Sequence, residues 1–281
     1  MSAPTSHLWQ DWRSPDLAAH LAELKTTGRL HQAVAVLPIA ATEQHGPHLP
    51  LWVDSAIVQT VCDSARAQLP ADAPIWFLPT QTIGLSPEHA SFAGTLSLRP
   101  ETALALWQDI ATGVAASGVQ KLLIFNSHGG NVGLMDVAAR QIRAQHSMAV
   151  WHSSWFNLPL DAATNALFSA EEQRFGIHAG QSETAAMLHI APHLVHGAAA
   201  QNFASSSQAR AQHYPILGDG KSARLGWLMQ DYNPQGAAGH AAAASAAQGQ
   251  ALLESASAKF VQLLQEISRI PLEQVVHLKK S

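Results

Sequence analysis

The sequence predicts an α/β fold in which a mainly parallel sheet is flanked by helices on both faces, giving three layers. Short apolar runs alternate four times with helical segments, at intervals that suit βαβ units. The composition is globular, because 47% of the 281 residues are apolar and 13% are charged. The length alone would fit one large domain or two small ones, and no internal repeat or linker divides the chain.

The first half of the chain supplies two strands and three helices. Residues 32–41, QAVAVLPIAA, are continuously apolar, as expected of a buried parallel strand, and residues 75–84, IWFLPTQTIG, form a second such run. Apolar residues at helical spacing, closed by glycine, predict helices at 15–28 and 101–118. A further helix is predicted at 54–70, with Asp54 at or near its N-cap.

The second half continues the alternation. The run KLLIFNSHGGN at 121–131 predicts a third strand with a glycine-rich turn, followed by a helix at 132–147 and a fourth strand at 148–156. Residues 178–195 open polar and continue as a helix, and a long C-terminal helix is predicted at 239–270. Residues 203–227 are loop-like and rich in Ser and Gly, and would form either a mobile flap over a site or a surface excursion.

Charge and cysteine content exclude several classes of protein. The net charge is −4 with no basic run, so the sequence favours neither nucleic acid nor a membrane as a partner. The one cysteine, Cys62, excludes a disulfide framework. No apolar stretch approaches the ~20 residues that a membrane span needs, and the first residues lack the features of a signal peptide. We therefore expect a cytoplasmic protein.

The first apolar strand ends in a strongly polar stretch, EQHGPHLPLWVD. Glu43 and His45 are two residues apart, so on an extended backbone their side chains point the same way, and Asp54 follows at a helix start. A helix cap by Asp54 and a loop hydrogen bond to Glu43 are the structural alternatives. Burying this much unpaired charge would be costly, and a bound cation removes that cost. The stretch therefore predicts metal ligands.

Two later segments place further candidate ligands at the same sheet edge. His128 sits in the NSHGGN turn at the end of the third strand, where the paired glycines allow close approach of a ligand. Glu183 lies in the first turn of a predicted helix, and the alternative for it is a favourable interaction with the helix dipole. His178 precedes it and, taken alone, would be an ordinary loop histidine.

The donor set comprises three carboxylates and two imidazoles: Glu43, Asp54, Glu183, His45 and His128. Mixed oxygen and nitrogen ligation suits Zn²⁺, Mn²⁺ or Fe²⁺, and five ligands with a bridging aspartate suit a pair of ions. Two ions ~3.5–4 Å apart hold a hydroxide and polarise a carbonyl or phosphoryl oxygen, so hydrolysis needs no nucleophilic Ser or Cys. HExxH, a complete P-loop and GxSxG are all absent from the sequence.

Four ordered motifs, EQHGPHLPLWVD, SPEHASFAGTLSL, NSHGGN and HAGQSETAAML, resemble those of the creatininase family of metal-dependent amidohydrolases. The resemblance spans residues 34–195, with a weaker echo in GAAGHAAAASAAQG. It implies one creatininase-like domain over residues 1–281 with a binuclear site at the carboxyl edge of the sheet. It also implies a homo-oligomer, because family members are often hexamers.

The same resemblance implies a role for each candidate residue. Glu43, Asp54 and His128 would hold one divalent ion. His45, Asp54 and Glu183 would hold the other, with Asp54 and a water bridging the two, and zinc is expected ahead of manganese or iron.

The resemblance further implies that His178 is the active-site histidine, a proton donor or oxyanion stabiliser. His89, in SPEHASFAGT, matches a recurring supporting or intersubunit position.

The chain departs from the creatininase pattern at two places. Gly130 stands where creatininases carry a glutamate, and Arg174 and Phe175 replace a Trp-Asp pair. The aromatic stacking wall for creatinine is therefore expected to be missing, so we do not expect creatinine as the substrate. Arg174 would suit an anionic substrate, although a surface role is the alternative.

We predict a metal-dependent hydrolase that cleaves a linear or cyclic C–N amide bond of a small molecule through a metal-bridging hydroxide. One alternative is a metal-dependent phosphohydrolase, which the lack of a basic cluster near the ligands disfavours. The other is a non-catalytic metal- or ligand-binding protein on the same fold. A carbon–carbon or ring-ketone bond is also conceivable as the target.

Overall fold

The computed structural model describes residues 6–276 and contains a four-stranded sheet at its centre. Its strands are β1 (Val34–Ile39), β2 (Ile75–Phe77), β3 (Lys121–Asn126) and β4 (Ala149–Ser154). They pair in the order β2-β1-β3-β4, and every pairing is parallel. The predicted parallel sheet is confirmed, and its order places the ends of β1 and β3 side by side.

Ten α-helices, several short 3₁₀ helices and a second, two-stranded sheet make up the rest of the regular structure in the described residues. The helices are α1 (Ser14–Thr26), α2 (Val53–Gln68), α3 (Pro100–Ala116), α4 (Val132–His146), α5 (Ala162–Asn165), α6 (Ala170–Phe175), α7 (Gln181–Ile190), α8 (Ser206–His213), α9 (Met229–Tyr232) and α10 (Ala246–Arg269). Strands β5 (Asn202–Phe203) and β6 (Gly239–His240) pair antiparallel. Within residues 6–276 no helix is long and apolar enough to cross a membrane.

The alternation of side chains along the strands divides the core into two layers. Leu122 and Ile124 of β3 face one side, where they join the apolar faces of α1, α3 and α4. Leu123 and Phe125 face the other side and pack with α2, α7 and α10. Both faces of the sheet are therefore covered, which explains why β1 and β2 and the centre of β3 are apolar, whereas the edge strand β4 ends in polar residues.

Two predicted boundaries and one segment predicted as loop-like were wrong. The second strand ends at Phe77 and does not continue to residue 84, because Pro79 has no amide hydrogen for a regular ladder. The C-terminal helix begins at Ala246, where Ser245 and Gln248 form a capping box, and residues 239–240 form β6 instead. The 203–227 segment is not only loop, because it contains α8.

Lys121 ties the start of β3 to the end of α10. Its side chain is fully buried, and Nζ donates hydrogen bonds to the carbonyls of Ile267 (2.9 Å), Ser268 (2.9 Å) and Ile270 (2.7 Å). These carbonyls lie at the negative end of the helix dipole, where a cation is favourable. The strand is thus anchored at the edge opposite to the one that carries the polar cluster.

Candidate metal centre

All five candidate ligands meet at the carboxyl edge of the sheet. Glu43 and His45 follow β1, and His128 follows β3 directly. Asp54 lies in the first turn of α2 and Glu183 in the first turn of α7. The parallel direction of the strands explains this convergence, because loops after adjacent strands leave the sheet at one edge.

Three groups of donor atoms are compact enough to hold a metal ion. The groups are Glu43–Asp54–His128, His45–Asp54–Glu183 and Glu43–His45–His178, each with its ligand atoms within 4.8 Å of one another. The first two have the same members as the two ligand sets that the family resemblance implied. Asp54 belongs to both, which is the position of a bridging carboxylate.

Hydrogen bonds to backbone carbonyls orient the two histidine ligands. Nδ1 of His45 donates to the carbonyl of Glu43 (3.1 Å), so the lone pair of Nε2 faces the cluster. Nε2 of His128 donates to the carbonyl of Leu85 (2.8 Å), so Nδ1 faces Glu43 and Asp54. Fixing one ring nitrogen in this way is how proteins set the tautomer of a metal-ligating histidine.

Three buried donor atoms in the cluster have no hydrogen-bond partner: Glu43 Oε1, His45 Nε2 and Asp54 Oδ2. Unpaired polar atoms in a protein interior are costly, and these three belong to residues of the compact donor groups. Glu43 and Asp54 share one group and His45 and Asp54 share another, so a pair of divalent cations would satisfy all three atoms. The donor set, its mixed chemistry and its unpaired atoms therefore fit a divalent metal.

The carboxylates compete with one another for protons. Burial, together with the neighbouring carboxylates, raises the pKa of Asp54 to about 6 and that of Glu183 to about 8. Although burial lowers it, the charges of Glu43 and Asp54 hold the pKa of His128 well above its ordinary value. The cluster thus carries more negative charge than it can hold unprotonated, and a cation would release those protons.

His178 and His89 lie beside the ligands and are both buried. Nε2 of His178 donates to the carbonyl of Gln44 (2.8 Å), so Nδ1 is free and lies 3.8 Å from Glu43 Oε1. The two rings are in contact, with centroids 4.2 Å apart. Burial lowers the pKa of His178 to about 4 and that of His89 to about 2, so both are neutral at pH 7.

The side chain of Gln44 was not singled out from the sequence. Its amide nitrogen donates to the carbonyl of Gly236 (2.9 Å) and to Nδ1 of His89 (2.7 Å). The second bond directs the Nε2–H of His89 toward Glu43 Oε1, 3.4 Å away. No sequence signal pointed to this role, because both of its partners are distant in the chain.

Glu172 was also not singled out. Its two carboxylate oxygens accept hydrogen bonds from the backbone amides of Gln181 (2.6 Å) and His240 (2.7 Å). It thereby joins α6 to the N-terminus of α7 and to β6. Glu183 accepts a bond from the amide of Ala179 (2.6 Å) in the same turn, so two carboxylates fix the backbone that carries His178 and Glu183.

A cavity of about 350 Å³ opens onto the cluster. Trp155, Phe156 and Trp227 line it, so the expectation that an aromatic wall is missing was wrong: segments other than 174–175 supply it. Arg174 is not in the lining and donates to the carbonyl of Gly218 (3.2 Å), which supports a surface role. Among the described residues, no Lys or Arg lines this cavity.

Comparison with known proteins identifies relatives in the creatininase family that are named for different substrates. The sequence model of the creatininase family, described as creatinine amidohydrolase, matches residues 19–264. The mycofactocin precursor peptide peptidase of Mycobacterium ulcerans (strain Agy99) is 36% identical over 165 residues, 57% of this chain and 59% of that protein. The creatinine amidohydrolase of Pseudomonas putida is 30% identical over 175 residues, 58% of this chain and 66% of that protein. The matched part is thus less than two thirds of each of these relatives.

Solved structures share the fold over nearly the whole chain. A crystal structure of creatinine amidohydrolase superposes with a TM-score of 0.74 at 23% identity, covering 95% of this chain and all of that one. A manganese form of creatininase gives a TM-score of 0.73 at 23% identity, with 94% of this chain covered and 100% of that one. At this identity the likeness shows the fold alone, in agreement with the parallel sheet described above.

Proposed function

This chain belongs to the creatininase family, and from that premise we propose that it is a metal-dependent hydrolase of a C–N amide bond in a small molecule. One observation carries the proposal: three buried donor atoms without a hydrogen-bond partner, from separate side chains, belong to two compact donor groups that share Asp54 at the carboxyl edge of the sheet. A protein that only needed a stable fold would gain nothing from such a cluster. A cavity lined by polar and aromatic side chains leads to it, as expected of a substrate site.

Two divalent ions fit the donor set, with zinc expected ahead of manganese or iron. Glu43, Asp54 and His128 would hold one ion, and His45, Asp54 and Glu183 the other. When bound, such ions polarise a carbonyl oxygen and lower the pKa of water. The carboxylates must lose their protons to bind them, so we expect affinity for the ions to rise with pH up to about 8, where Glu183 ionises.

His178 is the proposed proton carrier. Its Nε2–H is committed to the carbonyl of Gln44, which leaves Nδ1 as the basic nitrogen on the side of the ligands. Because the neutral ring is favoured, Nδ1 can take a proton from the attacking water and then deliver it to the leaving nitrogen. Glu183 borders the same cavity, so its carboxylate is a second group that could hold a proton during the reaction.

The walls of the cavity favour an amide over a phosphate ester. Phosphoryl groups are bound by Arg, Lys or clustered backbone amides. The lining contains four carboxylates, of Glu43, Asp54, Glu88 and Glu183, and no Lys or Arg in the described part of the chain. His128, whose pKa is held well above its ordinary value, is itself a candidate metal ligand. We therefore place a neutral acyl group at the metal centre.

A peptide is the second candidate substrate. It is favoured by the 36% identity to a relative named as a precursor peptide peptidase, and by a cavity that carries apolar side chains at its walls. Hydrolysis of a peptide bond and of a small amide would use the same residues at the centre. A homo-oligomer remains part of the proposal and rests on the family resemblance.

Elemental mass spectrometry of the metal content per chain tests the proposal, with wild type, Asp54→Ala and the control Asp136→Ala. Asp136 is an exposed residue of α4 that pairs with Arg140, so its loss should leave the metal content unchanged. We expect about two ions per chain in wild type and the control, and fewer than one in Asp54→Ala. A wild type that binds no ion after incubation with Zn²⁺ or Mn²⁺ would refute the metal-dependent mechanism.

An assay for the ammonia or amine released from formamides, primary amides and dipeptides, with mass spectrometry of the ring-opened product for cyclic amides, then tests the reaction. We expect turnover of at least one class by wild type and the Asp136→Ala control, and none by Asp54→Ala. Metal binding without turnover of any class would favour the non-catalytic alternative.

A further inference from the structure

Glu88 is a carboxylate of the cavity that the metal centre does not use. It lies in a single 3₁₀ turn, Pro87–His89, and its side chain is 11% exposed. It belongs to none of the three metal-competent groups within residues 6–276. The cavity lining offers it no Lys or Arg as a counter-charge.

Support of a metal ligand does not explain Glu88 either. Its Oε1 lies 3.5 Å from Nε2 of His128, which is too long for a good hydrogen bond. That ring nitrogen already donates to the carbonyl of Leu85 at 2.8 Å, so the ring is oriented without Glu88. The carboxylate therefore remains available to a molecule in the cavity.

Gly130 explains how the carboxylate fits beside His128. A β-carbon built at this position would overlap Oε1 of Glu88 and the carbonyl of Leu85. At the neighbouring Gly129, by contrast, a β-carbon would meet nothing. The second glycine of NSHGGN is thus the one that makes room for Glu88 at the wall.

The cavity that contains this carboxylate also has aromatic rings in its lining. Trp155, Phe156 and Trp227 line the same cavity, and the ring of Trp227 is 6.3 Å from that of His89, the neighbour of Glu88. Aromatic faces attract cations, and a carboxylate pairs with an ammonium group through charge-assisted hydrogen bonds. Among the described residues, the one cationic side chain that pairs with Glu88 is His128, which would be neutral as a metal ligand. With the metal bound, a carboxylate in a cavity whose described lining also contains aromatic rings and no Lys or Arg is a suitable environment for an organic cation.

We propose that Glu88 and Trp227 form a subsite for an ammonium group, so that the substrate is a small amide or peptide carrying a protonated amine. This proposal rests on the hydrolase function above, since it concerns the same cavity. The metal centre would hold the amide carbonyl while Glu88 fixes the position of the charged end. The site would reject a neutral analogue of the substrate, because binding that analogue would leave the carboxylate of Glu88 buried without a partner.

Binding of two matched probes tests the subsite on the metal-loaded full chain. Benzylamine is protonated at pH 7, and benzyl alcohol is a neutral molecule of nearly the same shape. Their dissociation constants are measured by isothermal titration calorimetry for wild type, Glu88→Gln and the control Glu254→Gln. Glu254 lies on the exposed side of α10 and is hydrogen-bonded only to Gln250 among the described residues. The control variant therefore removes one negative charge that is not in the cavity lining.

We expect wild type and the control to bind benzylamine at least tenfold more tightly than benzyl alcohol, and Glu88→Gln to bind the two alike. Equal affinities in wild type, or a preference that survives in Glu88→Gln, would overturn the proposal. A preference for benzylamine that survives in Glu88→Gln would indicate that the amine binds the metal and not Glu88. Metal content of the same samples separates the two proposals: normal metal without an amine preference refutes only the subsite, and absence of metal refutes the hydrolase.

Discussion

Removing the metal should make the stability of this protein depend on the ionisation of Glu183. Its pKa in the folded chain is raised to about 8 from an ordinary 4.5, chiefly by burial and then by the charge of Asp54. Below pH 4.5 the group is protonated in both states and contributes no pH dependence. Between 4.5 and 8 the unfolded chain has released the proton and the folded chain keeps it, so rising pH favours unfolding. The perturbation we propose is Glu183→Gln in the metal-free protein.

The size of the effect follows from the pH window. Each pH unit in which one state holds one more proton changes the free energy of unfolding by about 1.4 kcal/mol. From pH 6 to pH 8 this amounts to about 3 kcal/mol, which we reduce to about 2 kcal/mol because Glu183 borders a water-accessible cavity. With a urea slope of roughly 3 kcal/mol per molar for a chain of this size, the midpoint would fall by about 0.7 M.

Urea unfolding of the metal-free protein at pH 6, 7 and 8, followed by circular dichroism, measures the effect. Buried histidines such as His178 also change stability with pH, but they do so in wild type and variant alike. The difference between the two proteins therefore isolates Glu183: wild type should lose about 2 kcal/mol more than Glu183→Gln from pH 6 to pH 8, and Glu254→Gln should behave as wild type. Parallel pH curves for wild type and Glu183→Gln would refute the reasoning.

Four further substitutions test the scaffold and the proposed chemistry. Lys121→Met removes three hydrogen bonds at the end of α10 and should lower the free energy of urea unfolding by about 3 kcal/mol. Gly249→Ala should cost more than about 2 kcal/mol, because its β-carbon would overlap the carbonyl of Ala185. Gly113→Ala should instead raise the free energy of unfolding by about 0.5–1 kcal/mol, because a β-carbon at this position would contact no other part of the described structure. His178→Ala should keep the metal, by mass spectrometry, and lower turnover about 10²–10⁴-fold; unchanged turnover would remove it from the mechanism.

The meeting place of the ligands could be predicted because it depends on chain direction. Apolar runs predicted parallel strands, and parallel strands deliver Glu43, His45 and His128 to one edge of the sheet. Their division into two groups rested on the family resemblance, since spacing alone does not show which carboxylate faces which histidine. The structure brings the same groups together, with Asp54 in both.

The supporting residues could not be predicted, because each acts through contacts that are distant in the sequence. Gln44 contacts Gly236, which is 192 positions away, and Glu172 contacts the amide of His240, 68 positions away. Gln44 is not a residue type that suggests a metal ligand or nucleophile, and Glu172 stands in none of the four family motifs. The aromatic wall was missed for the same reason, because Trp155 and Trp227 come from segments far apart in the chain.

The residues that would bind ions and those that would contact the rest of a substrate come from different parts of this fold. Glu43, His128 and Asp54 are fixed by β1, β3 and α2, whereas Phe156 and Trp227 project from connections beyond the sheet. Mutations in these connections can therefore accumulate without disturbing the ion-binding geometry. One inherited reaction can in this way be redirected to new molecules, which accords with relatives named for a peptide and for creatinine.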